Sequence, residues 1–408
     1  MNPALNAASL SLARVGTNFL SFLLFLAISR AFGPEGTGAY SYAFAIATLA
    51  SVVISLGADD FGLREYARLA PETRPAFLAR LLGAHAGVAL LTGAALALLL
   101  GGSETAGRSA GMISMLAVYQ ACFAVVRTLF IPAFVREAML GPALAELVCR
   151  GGANLVALVA IAGFGRSTAE ALAVFPLSGL VLVAWAWRSA RHFGARPSLR
   201  ASAASIAGTL RALWSFVAGG ILSELYPRVG LLLLPVLAGE AATGYFATAA
   251  KFLEVGLLPI YFLGLALYPR LCAEFHSDRG AFAARIGSLA RASLLLGALV
   301  GCGLLGVVPA ILVPLLGPGF EPAIPAMRWV ALVVLLESLE LAGMRLLMAA
   351  DRNPARLAAF ALGLALNLAL DLALIPRFGA TGAVLGWALS LVPVLACYAV
   401  AARGLLRA

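Results

Sequence analysis

Lysine is almost absent from this chain, and charged residues of either sign are scarce. Lysine and arginine together total 29, Lys251 is the single lysine, and all charged residues make up 12% of the 408 positions. Hydrophobic residues make up 62%, which is more apolar surface than a soluble core can bury but which a bilayer accommodates. No stretch is long and polar enough to form a separate soluble domain. These features exclude a soluble globular protein and indicate a polytopic membrane protein.

Motifs of the common catalytic and nucleotide sites are also missing. There is no P-loop, no HExxH, no GxSxG and no paired-cysteine spacing. We therefore expect no catalytic residue, no bound metal and no cofactor, so that the protein is not an enzyme and any transport is secondary or downhill. The net charge of +10 could suggest nucleic acid, but its distribution indicates membrane topology and anionic lipid instead. The cysteines are scattered and are expected to be unpaired: Cys122, Cys149, Cys272, Cys302 and Cys397.

Twelve apolar segments have about the 20 residues that a helix needs to cross a bilayer. They cover residues 9–30, 38–58, 78–100, 110–133, 142–163, 169–187, 207–236, 242–268, 287–316, 323–349, 356–375 and 380–402. The ninth contains Pro309 and Pro314 and is the segment most prone to kinking or breaking. This pattern predicts an all-α membrane protein with twelve transmembrane helices.

Arginines between the segments fall on alternate sides. One side carries Arg64, Arg68, Arg74, Arg80, Arg136, Arg188, Arg191, Arg196, Arg200, Arg270, Arg279, Arg285, Arg291, Arg352, Arg356, Arg403 and Arg407. The other side carries only Arg30, Arg108, Arg166, Arg328 and Arg377. The positive-inside rule places the first side, and with it both termini, in the cytoplasm. Outer connections such as 101–109, 238–241 and 317–322 are too short for an extracellular catalytic domain.

The two halves of the chain share a motif. GPEGTGAY at 33–40 precedes the second segment, and GEAATGY at 239–245 precedes the eighth. We interpret this as an internal repeat of two six-helix bundles, residues 1–200 with a cytoplasmic linker and residues 201–408. Because each half has an even number of spans, the pseudo-two-fold axis would lie along the membrane normal, with a cavity between the halves. The alternative is that any outer hairpin favours glycine and a small acidic turn.

Basic residues inside the apolar segments are candidates for binding an anion, because an arginine at mid-membrane costs about 2.5–3.5 kcal/mol on insertion scales. Near a helix end, the same side chain can instead reach the headgroups. Four of these arginines lie in the predicted cytoplasmic half of the membrane, whereas Arg228 and Lys251 lie near mid-depth. The candidate substrate-binding residues are Arg14, Arg127, Arg150, Arg228, Lys251 and Arg345.

Acidic residues inside the segments are candidates for coupling transport to H+ or Na+. Glu224 lies four residues before Arg228, and Glu254 lies three after Lys251, so each acid has a basic residue on its own helix face that can simply neutralise it. Glu337 and Glu340 share a face of the tenth segment, with Arg345 as the nearest basic residue. Asp371 stands alone in the outer half of the eleventh segment. The candidate ion-coupling residues are therefore Glu337, Glu340, Glu224, Glu254 and Asp371.

Three stretches carry a resemblance to a known family. These are RAFGPEGTGAY at 30–40 with the apolar segment that ends in Leu56-Gly57, the stretch 239–254, and YPRL at 268–271. They resemble the polysaccharide-biosynthesis flippases, the Wzx-type O-antigen transporters of the multidrug/oligosaccharidyl-lipid/polysaccharide exporter superfamily. Members often carry an acidic residue shortly after a basic one in the seventh span. Here Val229 and Gly230 follow Arg228 instead, which is a departure from the family pattern.

The resemblance implies a flippase of the bacterial cytoplasmic (inner) membrane. Its substrate would be an undecaprenyl-pyrophosphate-linked oligosaccharide, moved from the cytoplasmic to the outer leaflet by alternating access. Cavity arginines would hold the anionic headgroup, since their fork geometry matches phosphate oxygens. The partners would be this lipid-linked substrate and membrane lipid, with a glycan polymerase and glycosyltransferases as further candidates, and no nucleic acid.

Four other readings stay open. A cation-coupled drug exporter of the same superfamily is expected to have an acid in its first span, where this chain has only Arg14. The peptidoglycan lipid-precursor flippases usually have fourteen spans. A membrane glycosyltransferase needs a larger outer loop, and a scaffold would organise a glycan-assembly complex without transport.

Overall fold

A computed structural model describes residues 3–55, 58–102, 109–195, 197 and 203–407. Arg108, Arg196 and Arg200, the motif residues Leu56-Gly57 and most of the predicted outer connection 101–109 lie outside the described residues. All regular secondary structure in the described part is helical. The α-helices are α1 Pro3–Ser55, α2 Ala58–Arg68, α3 Arg74–Gly102, α4 Ala110–Val135, α5 Leu140–Glu146, α6 Gly152–Phe164, α7 Thr168–Leu172, α8 Val174–His192, α9 Ala203–Leu225, α10 Val229–Leu237, α11 Gly239–Ser277, α12 Arg279–Cys302, α13 Val308–Leu316, α14 Ile324–Ala349, α15 Asn353–Phe378 and α16 Ala380–Arg407.

Helix α1 contains the first two predicted spans and is interrupted between them. Gly33 has φ 65° and ψ −166°, a conformation that a residue without a Cβ adopts at little cost. Pro34 follows, and proline is well suited to the first turn of a new helix because its missing N–H has no partner there. The sequence Gly-Pro therefore ends one span and begins the next.

Three other predicted spans contain a turn of different helical pitch. The fifth has a π-helical turn, Leu147–Gly151, and the ninth has another, Gly303–Val307, just before Pro309. The seventh, predicted as one segment over 207–236, is broken by a 3₁₀ turn at Tyr226–Arg228, which contains Pro227. Such turns are short and often mark functional positions. Two of them carry predicted substrate-binding residues, Arg150 and Arg228.

Ten helical stretches of the described residues are long and apolar enough to cross a membrane. The first of them, Leu12–Ser55, contains two predicted spans. Helix α14, the predicted tenth span, is not among the ten, and it carries Arg328, Glu337, Glu340 and Arg345. The chain is thus a multi-pass, all-α membrane protein, and the count of twelve spans stays a prediction.

The chain forms two compact units. The first comprises Met1–Ala31 and Tyr42–Glu224, and the second comprises Phe32–Ser41 and Leu225–Ala408. Relative to the predicted boundary between residues 200 and 201, the second unit begins later and also includes a short piece of α1. The first unit packs around Leu81, Phe130 and Leu213, and the second around Leu271, Phe282 and Leu346.

The piece of α1 that belongs to the second unit packs against the start of α11 through two glycines. A Cβ on Gly38 would overlap the carbonyl oxygen of Glu240, and a Cβ on Gly244 would overlap the carbonyl oxygen of Pro34. The contact is reciprocal, because Pro34 precedes Gly38 by four residues and Glu240 precedes Gly244 by four. We call this the glycine crossing. Only a residue without a side chain allows two helix backbones to approach so closely.

The two sides of the glycine crossing match in detail. Gly239, with φ 87°, corresponds to Gly33 with φ 65°. Thr37 Oγ1 donates to the Gly33 carbonyl at 2.8 Å, and Thr243 Oγ1 donates to the Gly239 carbonyl at 2.9 Å. The shared motif at 33–40 and 239–245 therefore folds into the same local structure twice, and the two copies pack on each other.

Candidate functional site

Arg150, in the first unit, lies over an aromatic ring. Its guanidinium is 4.1 Å from the centroid of Phe123, and its Nε donates to Tyr119 Oη at 3.1 Å. Tyr119, Phe123 and Arg127 are spaced four apart on α4 and so share one face. The Arg127 guanidinium is 5.8 Å from the same Phe123 ring. The structure thus places two of the predicted substrate-binding arginines at one ring.

The surroundings of Arg150 hold its position and leave donors unused. Tyr119 stacks edge-on against Phe175, with the ring centroids 5.1 Å apart, and Asn154 Nδ2 donates to the Arg150 carbonyl at 2.8 Å. Glu146 is buried one turn earlier, but no carboxylate among the described residues forms an ion pair with Arg150. The Nη groups of this half-buried side chain therefore remain available to an anion.

Arg14 lies on α1, near the part of that helix that packs on the π-helical turn Leu147–Gly151. A Cβ on Gly16 would be 3.3 Å from Leu147, and a Cβ on Gly151 would be 3.2 Å from Leu20, so the two elements are in close contact. The Arg14 side chain itself is exposed. The proposed role of Arg14 in binding substrate stays a prediction from the sequence.

Lys251 forms an ion pair along its own helix. Its Nζ lies 2.9 Å from Glu254 Oε2, and the two side chains are 19% and 61% exposed. The sequence left open that Glu254, three residues after Lys251, simply neutralises it, and the structure shows this ion pair. Glu224, on α9, belongs to the first unit, whereas Arg228, at the end of the 3₁₀ turn, belongs to the second, and both are half-buried.

Arg345, in the second unit, is buried between two tyrosines. It is 6% exposed, and its guanidinium is 5.4 Å from the ring of Tyr261 and 5.6 Å from that of Tyr268. Tyr261, Gly264 and Tyr268 share one face of α11. A Cβ on Gly264 would be 3.2 Å from the Arg345 Nε, so glycine provides the space for the guanidinium. We call this group the arginine–tyrosine site, and its Tyr268 belongs to the YPRL motif.

No acceptor for the Arg345 guanidinium is present among the described residues. No hydrogen bond and no ion pair involves its side chain there. Ser293 lines the same small space, and its buried hydroxyl also lacks a partner in the described part of the chain. Buried donors are nearly always satisfied in native proteins. The described structure thus leaves the Arg345 donors and the Ser293 hydroxyl without an acceptor, and the space that they line is too small to hold a water molecule.

Two of the predicted acids, Glu337 and Glu340, have neutral donors on α16 as partners. Trp387 Nε1 donates to Glu337 Oε1 at 3.0 Å, and Tyr398 Oη donates to Glu340 Oε1 at 3.2 Å. Arg345, which the sequence offered as their nearest basic residue, forms no ion pair with either of them. The Glu337 carboxylate is thus held by an indole N–H, and the Glu340 carboxylate by a phenol O–H.

Asp371, on α15, has no such partner among the described residues. It is 1% exposed, and neither carboxylate oxygen makes a hydrogen bond to a described residue. One turn earlier, the Asn367 Oδ1 is also unsatisfied in the described structure, while its Nδ2 donates to Ser390 Oγ at 3.3 Å. Ser390 Oγ lies 2.9 Å from Tyr226 Oη. An ionised carboxylate is costly to bury without hydrogen bonds, so a proton or a cation at Asp371 would lower the free-energy cost of its burial.

Sequence reasoning missed the neutral residues that bind or adjoin Glu337, Glu340 and Asp371. Asn367, Ser390, Tyr226, Trp387 and Tyr398 carry no charge and are ordinary residues in an apolar helix. The spacing of four between Asn367 and Asp371 places both on one face and was the one available signal. Among the described residues, no group of three or more His, Cys, Asp or Glu side chains is arranged to hold a metal ion.

Gly386 gives a direct test of the position of Asp371. A Cβ at Gly386 would overlap Asp371 Oδ1, so Gly386→Ala should destabilise the protein by about 1–3 kcal/mol. Adding Asp371→Ala should remove most of that loss, since the two changes act on one contact. Thermal unfolding in detergent measures both effects. Gly404→Ala on the same helix, where a Cβ has open space, is the control and should be close to wild type. Equal losses in the single and double variants would contradict the contact.

The polysaccharide biosynthesis protein family matches residues 4–273 of this chain, which is more than half of it.

The chain belongs to the polysaccharide biosynthesis protein family.

Solved structures agree with this family assignment at the level of the fold. A lipid II flippase, MurJ, in an inward closed conformation matches with a TM-score of 0.79 and 12% identity, over 97% of this chain and 87% of that one. An inward-facing multidrug resistance MATE transporter of the MOP superfamily matches with a TM-score of 0.68 and 13% identity, over 96% and 95%. A MOP superfamily transporter from Pyrococcus furiosus matches with a TM-score of 0.65 and 14% identity, over 100% and 97%. A comparison with curated proteins finds no significant match.

These findings confirm the predicted family and the predicted all-α, two-bundle fold class, whereas the count of twelve spans stays a prediction. This member of the polysaccharide biosynthesis protein family has the all-α, two-bundle fold of the MOP superfamily transporters. The three structures named above are described as a lipid flippase and as transporters.

Proposed function

We propose that this protein is a flippase that moves an undecaprenyl-pyrophosphate-linked oligosaccharide from the cytoplasmic to the outer leaflet of the bacterial cytoplasmic membrane by alternating access. The observation that carries the proposal is the buried Arg345, stacked between Tyr261 and Tyr268 with no acceptor among the described residues. Membership in the polysaccharide biosynthesis protein family supports a glycan as the cargo.

A pyrophosphate headgroup suits the arginine–tyrosine site chemically. The guanidinium offers planar, paired donors that match two phosphate oxygens at once. The two tyrosine rings limit its movement and contribute cation–π attraction. In a site sheltered from water, each charge-assisted hydrogen bond counts for more than it does in solution. A guanidinium held in this way is oriented before the anion arrives, and the site must open during the transport cycle to admit the anion.

Arg150 in the first unit has the same character. It is half-buried, stacked on Phe123, and uses only its Nε, for Tyr119. We propose that Arg150 and Arg345 both bind the phosphates of the substrate during the transport cycle, with Arg14, Arg127, Arg228 and Lys251 in supporting roles. The protein moves its substrate without chemical change, so no catalytic residue is proposed.

Asp371 is the acid that we propose for coupling to H+ or Na+. Glu337 and Glu340, the first candidates from sequence, already have donors in Trp387 and Tyr398, whereas both oxygens of Asp371 lack a partner in the described structure. Asp371 and Asn367 Oδ1 together present oxygen atoms of the kind that a proton or a hard cation prefers. An ion can bias transport only if it binds one conformation better than another. Glu224 and Glu254 remain lesser candidates.

The polymerase and glycosyltransferases of glycan assembly are the partners that this role requires. Glycosyltransferases would supply the lipid-linked substrate at the side that carries most of the arginines, which is also where we propose that both termini lie. A polymerase would remove the product on the other side.

Reconstitution tests the proposed function. Liposomes that contain the purified protein and a labelled polyprenyl-pyrophosphate oligosaccharide should transfer the glycan between leaflets, measured by access of a lectin or glycosidase. Protein-free liposomes are the control, and a polyprenyl glycoside without phosphate tests the role of the anionic headgroup. Transfer no faster than in protein-free liposomes would contradict a flippase. Equal transfer of the phosphate-free lipid would contradict recognition of the pyrophosphate.

Imposed ion gradients test the coupling residue in the same assay. Wild-type flipping is expected to change about five- to tenfold under the H+ or Na+ gradient that drives it, which corresponds to a typical coupling free energy. Asp371→Asn should flip at a rate that ignores the gradient, while Glu337→Gln and Glu340→Gln should keep their response. A wild-type rate indifferent to both gradients would remove the coupling proposal, and a response retained in Asp371→Asn would assign it to another residue.

A further inference from the structure

A groove in the first unit lies at the C-terminal end of α8, away from the residues of the proposed substrate chemistry. Its volume is about 940 Å³, which is within the range of ligand sites, and it is lined by Val181, Trp185, Arg188, Arg191, His192 and Phe193, together with Gly141 at the start of α5. None of the described residues that line it is acidic. None of the predicted substrate-binding or ion-coupling residues lines it.

One face of α8 supplies most of this groove and changes character along its length. Val181, Trp185, Arg188 and His192 follow one another at spacings of three or four, which places them in one stripe. The first half of the stripe is apolar and exposed, with Val181 at 51% and Trp185 at 38% exposure. The second half is basic. The stripe therefore continues from an apolar surface that suits acyl chains to a cationic end.

The guanidinium groups of Arg188 and Arg191 have no anionic partner among the described residues. Neither Arg188 nor Arg191 forms a side-chain ion pair or hydrogen bond with a described residue, and both are exposed. Arg136, from the connection between α4 and α5, adds a third guanidinium, 5.8 Å from the ring of Phe193. Two arginines thus line one end of a groove whose other end is apolar, and a third lies beside that end at the ring of Phe193.

We propose that this groove binds a membrane phospholipid with an anionic headgroup. Tryptophan is enriched where a membrane protein crosses from acyl chains to headgroups, and Trp185 lies at that point of the stripe. Basic pockets between helices at the cytoplasmic surface are typical sites for acidic lipid headgroups. Arg188 and Arg191 also lie on the side that the distribution of arginine predicts to be cytoplasmic. The headgroup phosphate contacts the arginines, and the acyl chains lie along Trp185 and Val181.

Native mass spectrometry of the delipidated protein tests this site. With an equimolar mixture of phosphatidylglycerol and phosphatidylcholine of identical acyl chains, wild type should retain the anionic lipid in preference. The double variant R188Q/R191Q should bind the first phosphatidylglycerol about thirtyfold more weakly, as expected for two basic residues at an anionic surface. R352Q/R403Q removes two exposed arginines elsewhere and should behave as wild type.

Brominated acyl chains provide a second measurement. Phosphatidylglycerol with brominated chains should quench tryptophan fluorescence more in wild type than in Trp185→Phe. Retention of both lipids equally by wild type would overturn the proposal, as would equal losses in the two arginine variants, which would indicate a general effect of charge. Quenching unchanged by Trp185→Phe would place the lipid elsewhere and would also overturn it.

Discussion

Gly38→Ala and Gly244→Ala should each destabilise the protein by about 1–3 kcal/mol or more. At either position, the added Cβ would overlap a backbone carbonyl oxygen of the facing helix, Glu240 for Gly38 and Pro34 for Gly244. An exposed side chain can rotate away from such an overlap, but a backbone carbonyl moves only if its helix moves. The two helices must therefore separate, and the packing of Phe32–Ser41 on α11 is lost.

The double variant makes this prediction sharper. Once the first methyl group has separated the helices, the second one meets less resistance, so Gly38→Ala/Gly244→Ala should cost clearly less than the sum of the two single losses. The rate of irreversible unfolding in detergent, followed by intrinsic fluorescence, measures the three variants.

Gly87→Ala is the matched control for the glycine crossing. Gly87 lies in helix α3, and a Cβ there would have no heavy atom within 4 Å. The change should leave stability equal to wild type or raise it by about 0.5–1 kcal/mol, because alanine favours the helix. Wild-type stability of Gly38→Ala and Gly244→Ala, or full additivity in the double variant, would contradict the glycine crossing.

Arg345→Gln should lower the flipping rate per molecule about hundredfold. The change removes one partner of the proposed pair between Arg345 and the substrate phosphate, and losing one partner of a buried, hydrogen-bonded charge pair costs about 2–5 kcal/mol. Arg345→Lys should be nearly as defective. An ammonium neither presents the paired donors of a guanidinium nor stacks between Tyr261 and Tyr268 in the same way. Arg150→Gln should reduce the rate by a smaller factor, because Arg150 is less buried than Arg345.

Arg328→Gln is the control for this series. Arg328 lies on the same helix, α14, and is exposed, so the change removes an arginine without touching the arginine–tyrosine site. Liposome flipping should be normalised to the amount of folded protein, measured by size-exclusion chromatography. A lower amount of folded Arg345→Gln with an unchanged rate per molecule would show that Arg345 has only a structural role and would contradict the proposed binding of phosphate.

The membrane fold could be predicted from the sequence because hydropathy and arginine placement are properties of short segments. A run of about 20 apolar residues becomes a spanning helix whatever its neighbours are, since a bilayer leaves no other way to satisfy its backbone. The motif at 33–40 and its copy at 239–245 likewise carried the family resemblance, which the match over residues 4–273 confirms.

Buried charges could be predicted as important from the sequence, but their partners could not. The cost of an ion in hydrocarbon pointed to Arg345, Glu337 and Asp371 equally. The partner of each charged group, whether an aromatic ring, an indole N–H or no described residue, depends on helices that are distant in the sequence. Tyr261 and Tyr268 reach Arg345 from α11, and Trp387 reaches Glu337 from α16.

The sequence by itself determined that this chain is a helical membrane protein of the polysaccharide biosynthesis family, because those properties are written in segment composition and local motifs. Only the tertiary structure decided which of its charged residues keep unused hydrogen-bonding groups and that Phe32–Ser41 packs with the second unit. Those outcomes depend on contacts between distant helices, such as Gly38 with Glu240 and Gly386 with Asp371. Packing at that distance is set by the shapes of both surfaces at once, and no single segment contains that information.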